Sequence, residues 1–423
     1  MNINVNCELL GINEKCLSSS KNLRFLRNAH EQIHGLDCSK GTGWVELPNF
    51  VEKAEFANLK QCAKEVQENS DVLLVIGIGG SFLGAYAGIS MLKSQPKTEV
   101  RFIGNSLDSN DLNEVLAYCK DKQVSVNVIS KSGTTMETAV VFEIVENFMK
   151  KKYKKGKEYK NRIFVTTDYE RGELREIATK EGYRSFVIPR NVGGRYSVLT
   201  PVGLFPMAVA GISIEKIING AKHAYEECSK LDVNENPAYK YALSRYMVYK
   251  KGRKVECFCS FDSRLKVFAE WLKQLFAESE GKKGKGLFVT SLNYTTDLHS
   301  MGQFVQEGSP ILFESFIDIK KPASDLKIDK VEDGRGIKNV EGMTVNELNR
   351  LVYESVKVSH SEAKVPIVTL EMEELNEENV GYLFYFYEMA CGASAYLLGV
   401  NPFDQPGVEV YKKHMRNKIA ERK

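Results

Sequence analysis

The stretch Val124–Thr138, "VSVNVISKSGTTMET", decides the fold by the order of its parts. Val124–Ser130 is a short run rich in valine, of strand length and too short for a typical helix. From Thr135 the chain reads "TMETAVVFEIVENF", a helical window that runs to about Lys150. "SKSGTT" is therefore the turn that opens the helix. In an open parallel sheet such a turn lies beyond the carboxyl end of its strand, where ligands bind. The start of a helix leaves backbone N–H groups unpaired at the positive end of the dipole, so an anion there is stabilised. Ser130, Ser132, Thr134 and Thr135 add hydroxyls, Lys131 adds a nearby charge, and Gly133 lets the backbone come close. A helix cap uses one hydroxyl. Four of them suit a phosphate that is held and then released.

Outward from this turn the same rhythm repeats. "DVLLVIG" (71–77), "TEVRFIG" (98–104), "RIFVTT" (162–167) and "RSFVIP" (184–189) are apolar strand runs separated by helical windows such as 111–120. Near-continuous apolar strands alternating with helices predict a parallel sheet covered on both faces. Two consecutive helices, 213–230 and 237–250, then break the pattern. A second series follows, with strands "VECFCSF" (255–261), "GLFVTSL" (286–292), "ILFESFI" (311–317) and "VPIVTLE" (365–371). Helical windows at 264–279, 297–307 and 344–359 separate them, and helices at 378–398 and 408–420 close the chain. The expected organisation is an α/β protein with an N-terminal helical and loop appendage (1–45), a first domain (46–212) and a second domain with a C-terminal helix (213–423).

Composition sets limits on function. The chain has 423 residues, 43% hydrophobic and 27% charged, with a net charge of +3. That balance gives no bulk argument for nucleic-acid binding. The basic run "MKKKYKKGKEYKNR" (149–162) reads as a solvated helix end and loop. No run is long and apolar enough to span a membrane, and no secretory signal is visible. Nine cysteines without a CxxC pair read as free thiols of a reducing cytoplasm, with Cys257 and Cys259 on one face of a strand. No zinc-type ligand spacing occurs, so no metal is expected, and no organic cofactor is expected either.

The first strand ends in "VIGIGGSFLGA" (75–85). A dinucleotide fingerprint would need glycine at position 82, which is Phe82, and an acidic residue after the next strand, where Asn105 stands. A tight turn through Gly80 that presents Ser81 to the same crevice fits better. Two neighbouring turns, both with hydroxyls, would close on one small phosphate.

These residues, together with "NVGGRYSVLTPVG" (191–203) and "AYLLGVNPFDQPGVEVYK" (395–412), carry a resemblance to the glucose-6-phosphate isomerase family in its compact bacterial form. The likeness covers almost the whole chain past about residue 45, with the motifs in order. It implies two sugar-isomerase domains of flavodoxin-like form, and reversible conversion of glucose 6-phosphate to fructose 6-phosphate by ring opening and enediolate proton transfer. In "KQLFAESEGK" (273–282) it implies Glu278 as the base, with Glu280 as the competing carboxylate and Gln274 on the same helix face four residues earlier. Arg195, after Gly193 and Gly194, would stabilise charge that appears in the transition state, with the paired glycines allowing close backbone approach. The resemblance also implies ring opening by Lys412 and by His299 of "DLHSMGQFVQEG", the histidine reaching across a homodimer interface, and a sugar or phosphate contact for Gln405. One departure is Ser-Glu-Gly-Lys where longer members carry Ser-Asn-Gly-Lys. Competing readings are an isomerase of mannose 6-phosphate and a non-catalytic sugar-phosphate sensor. A sensor would need the phosphate turns but not Glu278, Lys412 and Arg195 together.

Overall fold

The computed structural model describes residues 3–17, 19–35, 41–49, 53–93, 96–153 and 158–422. Cys38 and residues 154–157 of the basic run lie outside them. Ten strands among the described residues form two five-stranded sheets. Strand β1 (Asn4–Asn6) belongs to the second sheet. The first comprises β2 (Val72–Ile76), β3 (Glu99–Ile103), β4 (Val124–Ile129), β5 (Ile163–Thr167) and β6 (Arg184–Val187), in the order β3-β2-β4-β5-β6 and parallel throughout. The second contains β7 (Val255–Ser260), β8 (Phe288–Asn293), β9 (Leu312–Ile319) and β10 (Ile367–Met372), in the order β1-β10-β9-β7-β8.

The apolar runs become central strands because both of their faces are covered. Leu73 and Val75 of β2 point into the core shared with the second sheet, while Val72, Leu74 and Ile76 join a separate cluster on the outer face. Cys257 and Cys259 likewise face one side of β7 and Phe258 the other. Between the sheets run the helices Leu83–Leu92, Lys266–Glu280 and Glu377–Leu398. The last is buried almost end to end and carries Tyr382, Phe384, Tyr385, Phe386 and Tyr387 into the core. Among the described residues no helix is long and apolar enough to cross a membrane.

The N-terminal segment departs from the expected appendage. Asn4–Asn6 pairs antiparallel with β10, Val5 opposite Leu370, and Asn4 and Asn6 both donate to the Glu371 carboxylate at 3.2 Å. The Ser20–His34 helix buries Leu26 and Ile33, and Trp44 is fully buried against Tyr196. A strand of one valine between two asparagines has no apolar alternation to read. Its place is fixed by the open edge of β10.

Candidate active site

Three pieces of chain meet at the carboxyl end of the first sheet. After β2, Gly79–Ser81 forms a single 3-10 turn. After β6 the chain reaches a second such turn, Gly194–Tyr196. The two press together at Gly80, where an added Cβ would fall 2.1 Å from the Gly194 carbonyl oxygen. The close backbone approach expected at Gly193–Gly194 is made by the Gly194 carbonyl against Gly80, while a Cβ on Gly194 itself would meet nothing within 4 Å. The third piece is the C-terminal half of the Lys266–Glu280 helix. Gln274 lies against the first turn, its Nε2 being 2.9 Å from where a Cβ on Gly79 would stand. Four residues on, Glu278 faces the same way, and Gln274 Nε2 donates to Glu278 Oε2 at 3.2 Å. Among the described residues Gln274 Oε1 is buried without a partner.

Arg195 is buried beside this pair, with 3% of its surface exposed. Its Nε donates to Ser279 Oγ and its Nη1 to Gln405 Oε1, each at 2.8 Å. Its Nη2 donates to the carbonyl oxygens of Pro402 and Asp404. All four acceptors are neutral. The nearest carboxylate, Glu278 Oε2, stands 3.5 Å from Nη1 and remains a quarter exposed. Arg195 is therefore held rigidly while much of its charge stays uncompensated. Ser279 and Lys282 were not singled out from the sequence, although both stand in the motif around Glu278. Lys282 donates to the Asn401 carbonyl and pairs with Asp404 at 2.9 Å, which fixes the segment that holds Arg195.

The competing carboxylate, Glu280, is fully buried and points away. Both of its oxygens are bound by Arg245, which also donates to Glu256 at 2.7 Å. Two positions along the helix turn a side chain by about 200°, so the two glutamates serve opposite faces.

The hydroxyl-rich turn divides by what its side chains hold. Ser130 is buried and its Oγ accepts from the Gly133 N–H at 3.0 Å, closing the turn. Lys131 donates to the carbonyls of Arg190 and Val192 at 2.7 and 3.1 Å, which clamps the turn to the segment leading to Arg195. Burial lowers the pKa of this ammonium, with Asp168 opposing the shift. Both residues, expected at the phosphate, have their polar atoms engaged with the chain itself. Counting hydroxyls and charges in sequence does not reveal this. Ser132 and Thr134 are exposed and bond each other at 2.8 Å. Thr135 is the N-cap of the Met136–Lys152 helix, yet its side chain makes no cap bond, which leaves its hydroxyl without a partner among the described residues.

Two expected residues are not joined to Glu278 within the chain. His299 ends an exposed 3-10 turn after β8 and makes no hydrogen bond, ion pair or ring contact among the described residues. Lys412 lies on the Pro406–Ala420 helix, which buries no residue, and pairs with Glu409 at 2.8 Å.

Known proteins resemble this chain over most of its length. The family model described as phosphoglucose isomerase matches residues 46–314. The glucose-6-phosphate isomerase of Clostridium tetani is 47% identical over 406 residues, covering 92% of this chain and 90% of that protein. That of Bacillus cytotoxicus is 46% identical over 414 residues, covering 94% and 92%. Among solved structures, a hypothetical protein from Thermus thermophilus superposes with a TM-score of 0.90 at 26% identity, covering 99% of this chain and 100% of that one. A glucose-6-phosphate isomerase from Chlamydia trachomatis shares the fold, with a TM-score of 0.82 at 20% identity and coverage of 99% and 88%. The chain belongs to the phosphoglucose isomerase family.

Proposed function

We propose that Glu278 carries a proton between C2 and C1 of an open-chain hexose 6-phosphate while Arg195 steadies the developing oxygen charge. The protein is an aldose–ketose isomerase that interconverts glucose 6-phosphate and fructose 6-phosphate, a step of glycolysis and gluconeogenesis. Glu278 accepts the C2 proton, the C–H electrons form the C1–C2 double bond, and the C1 carbonyl oxygen takes the negative charge. The O2 proton moves to O1. The pair left on O2 forms the C2 carbonyl, and Glu278 returns its proton to C1. Arg195 suits this step because it is fixed in advance and its four hydrogen-bond acceptors are neutral. Ser81, Ser132, Thr134 and Thr135, with the start of the Met136–Lys152 helix, form the phosphate side. The unpartnered Gln274 Oε1 accepts from a sugar hydroxyl.

The observation that carries this reading is the accessible Glu278 carboxylate, oriented by Gln274 and set 3.5 Å from a buried guanidinium. Glu278→Gln should lower kcat by about 100- to 10,000-fold, the range for losing a general base. It should keep affinity for a phosphorylated sugar acid. Turnover of glucose 6-phosphate within a few-fold of the parent would remove Glu278 from this role, and mannose 6-phosphate run alongside tests the neighbouring substrate.

His299 is assigned to ring opening in the second copy of a homodimer, with Lys412 acting on the same step once released from Glu409. The solvent-facing His299 turn and the uncovered Pro406–Ala420 helix, with Val410 and Tyr411 exposed, support that assembly. Mixing inactive Glu278→Gln and His299→Ala proteins and refolding them together should restore activity, because one site of each hybrid is then intact. No recovery at any mixing ratio would place His299 outside its partner's site. Cytoplasmic residence fits the eight described cysteines, which are all free thiols.

A further inference from the structure

The two sheets share a connection pattern. In the first, β2 lies between β3 and β4, so the crossovers leave it in opposite directions, and the reacting groups gather beyond that point. In the second, β7 lies between β8 and β9 in the same way. A crevice of about 560 Å³ opens beyond its carboxyl end, within the range of small-metabolite sites. Asp262 and Arg264 follow β7, Lys320 and Asp325 follow β9, and Arg350 projects from the Val345–Glu362 helix. Lys93, from the first sheet's Leu83–Leu92 helix, completes the lining.

The carboxylates of this crevice are engaged. Asp262 takes Arg264 Nε at 3.0 Å and Nη2 at 2.6 Å. Asp318 holds Arg350 Nη1 with both oxygens, at 2.7 and 2.9 Å. Asp325 accepts from the backbone N–H groups of Leu326 and Asn346. The donors are not exhausted. Among the described residues Lys93 makes no ion pair, and Arg264 Nη1 and Arg350 Nη2 make no hydrogen bond. The Lys320 ammonium is 3.9 Å from its nearest carboxylate, Glu371. The site thus offers hydrogen-bond donors and two weakly compensated ammonium groups, which an acceptor-rich anion satisfies.

We propose that this second crevice binds a small oxyanion-bearing metabolite, a phosphate or a carboxylate on a short carbon chain, and couples its occupancy to the isomerase site. The coupling follows from two helices. Leu83–Leu92 starts directly after the Gly79–Ser81 turn region and ends at Lys93. Lys266–Glu280 starts beside Arg264 and carries Glu278 in its last turn. They pack antiparallel, with Gly84 against Trp271 and Gly79 against Gln274. An anion bridging Lys93 and Arg264 acts on both helices at the ends remote from the sugar.

The test uses the full-length protein with inorganic phosphate and, separately, citrate as probes. In a Ser132→Ala, Thr135→Ala background, which weakens the other anion cradle, calorimetric titration should still show one site per chain. Adding Lys93→Asn and Lys320→Gln should weaken that site by roughly tenfold or more. Asparagine suits position 93 because Lys93 has a left-handed φ of 42°. In the parent background the lysine pair should leave kcat and KM without anion within about twofold and abolish the probe's non-competitive effect on isomerisation. If the pair does not fold, Lys320→Gln alone should give the weakening. Binding that ignores the lysine changes, or no second site for either probe at millimolar concentration, overturns the proposal. Binding of phosphate alone or of citrate alone identifies which oxyanion the crevice takes.

Discussion

Two buried arginines stand at the same end of the Lys266–Glu280 helix, and they are satisfied in opposite ways. Arg245 is wholly buried and meets two carboxylates, Glu256 and Glu280, together with Ser394. The surplus negative charge is shared with Tyr241 and Ser315, which donate to Glu256 at 2.6 and 2.7 Å. Nothing is left over for a ligand. Arg195 is almost as buried but bonds only neutral acceptors, and its one nearby carboxylate is offset and partly open to solvent. The difference teaches how one kind of side-chain pair serves two ends. Saturating a guanidinium with carboxylates makes a structural joint, whereas neutral acceptors hold it in place and leave its field for charge that appears later.

Exchanging each glutamate for glutamine separates the two arginines most clearly. The loss of turnover expected for Glu278→Gln is the largest effect, and it should come with an unchanged urea midpoint. Glu280→Gln should do the reverse. Taking one charge from the Arg245 cluster should cost about 3 kcal/mol, the low end for breaking a buried ion pair, with a much smaller fall in kcat. Equal effects of the two changes on turnover and on urea midpoint would erase the distinction.

Glu388 sharpens the comparison from the other side, being a buried carboxyl with no arginine. Both of its oxygens lack a partner among the described residues, and burial alone raises its pKa well above the usual carboxylate value. The folded chain therefore keeps a proton that the unfolded chain releases above about pH 4.3. Stability from this group is fully present below that pH. It falls by about 1.4 kcal/mol per pH unit as pH rises toward the folded value. Glu388→Gln removes this slope, so its Tm relative to the parent should improve steadily from about pH 5 upward. A Tm difference that does not change with pH would mean that Glu388 is ionised where it sits.

The strands of both sheets were legible because their apolar runs are bounded and regular. The helix starts were legible from the turns before them. Glu278, Gln274 and Arg195 stand in motifs that the fold brings to one place. For Ser130 and Lys131, residue type says what a group can donate and not which partner it also holds within the chain. Lys131 turned out to be tied to carbonyls about 60 positions away. Ser279 and Lys282 were missed for the complementary reason, since their targets, Arg195 and Asp404, are distant in sequence. The strand Asn4–Asn6 carried no periodic signal, and only the unpaired edge of β10 gives it a structure.

That strand has a consequence for how the molecule is made. Asn4 meets Glu371 across 367 positions of chain. During synthesis at about 5–20 residues per second, the first strand waits on the order of 20–70 s for its pairing edge to leave the ribosome. Val5 must stay without its strand partner for that interval. Whatever shields the nascent Asn4–Asn6 strand from wrong partners therefore bears on the yield of the finished enzyme.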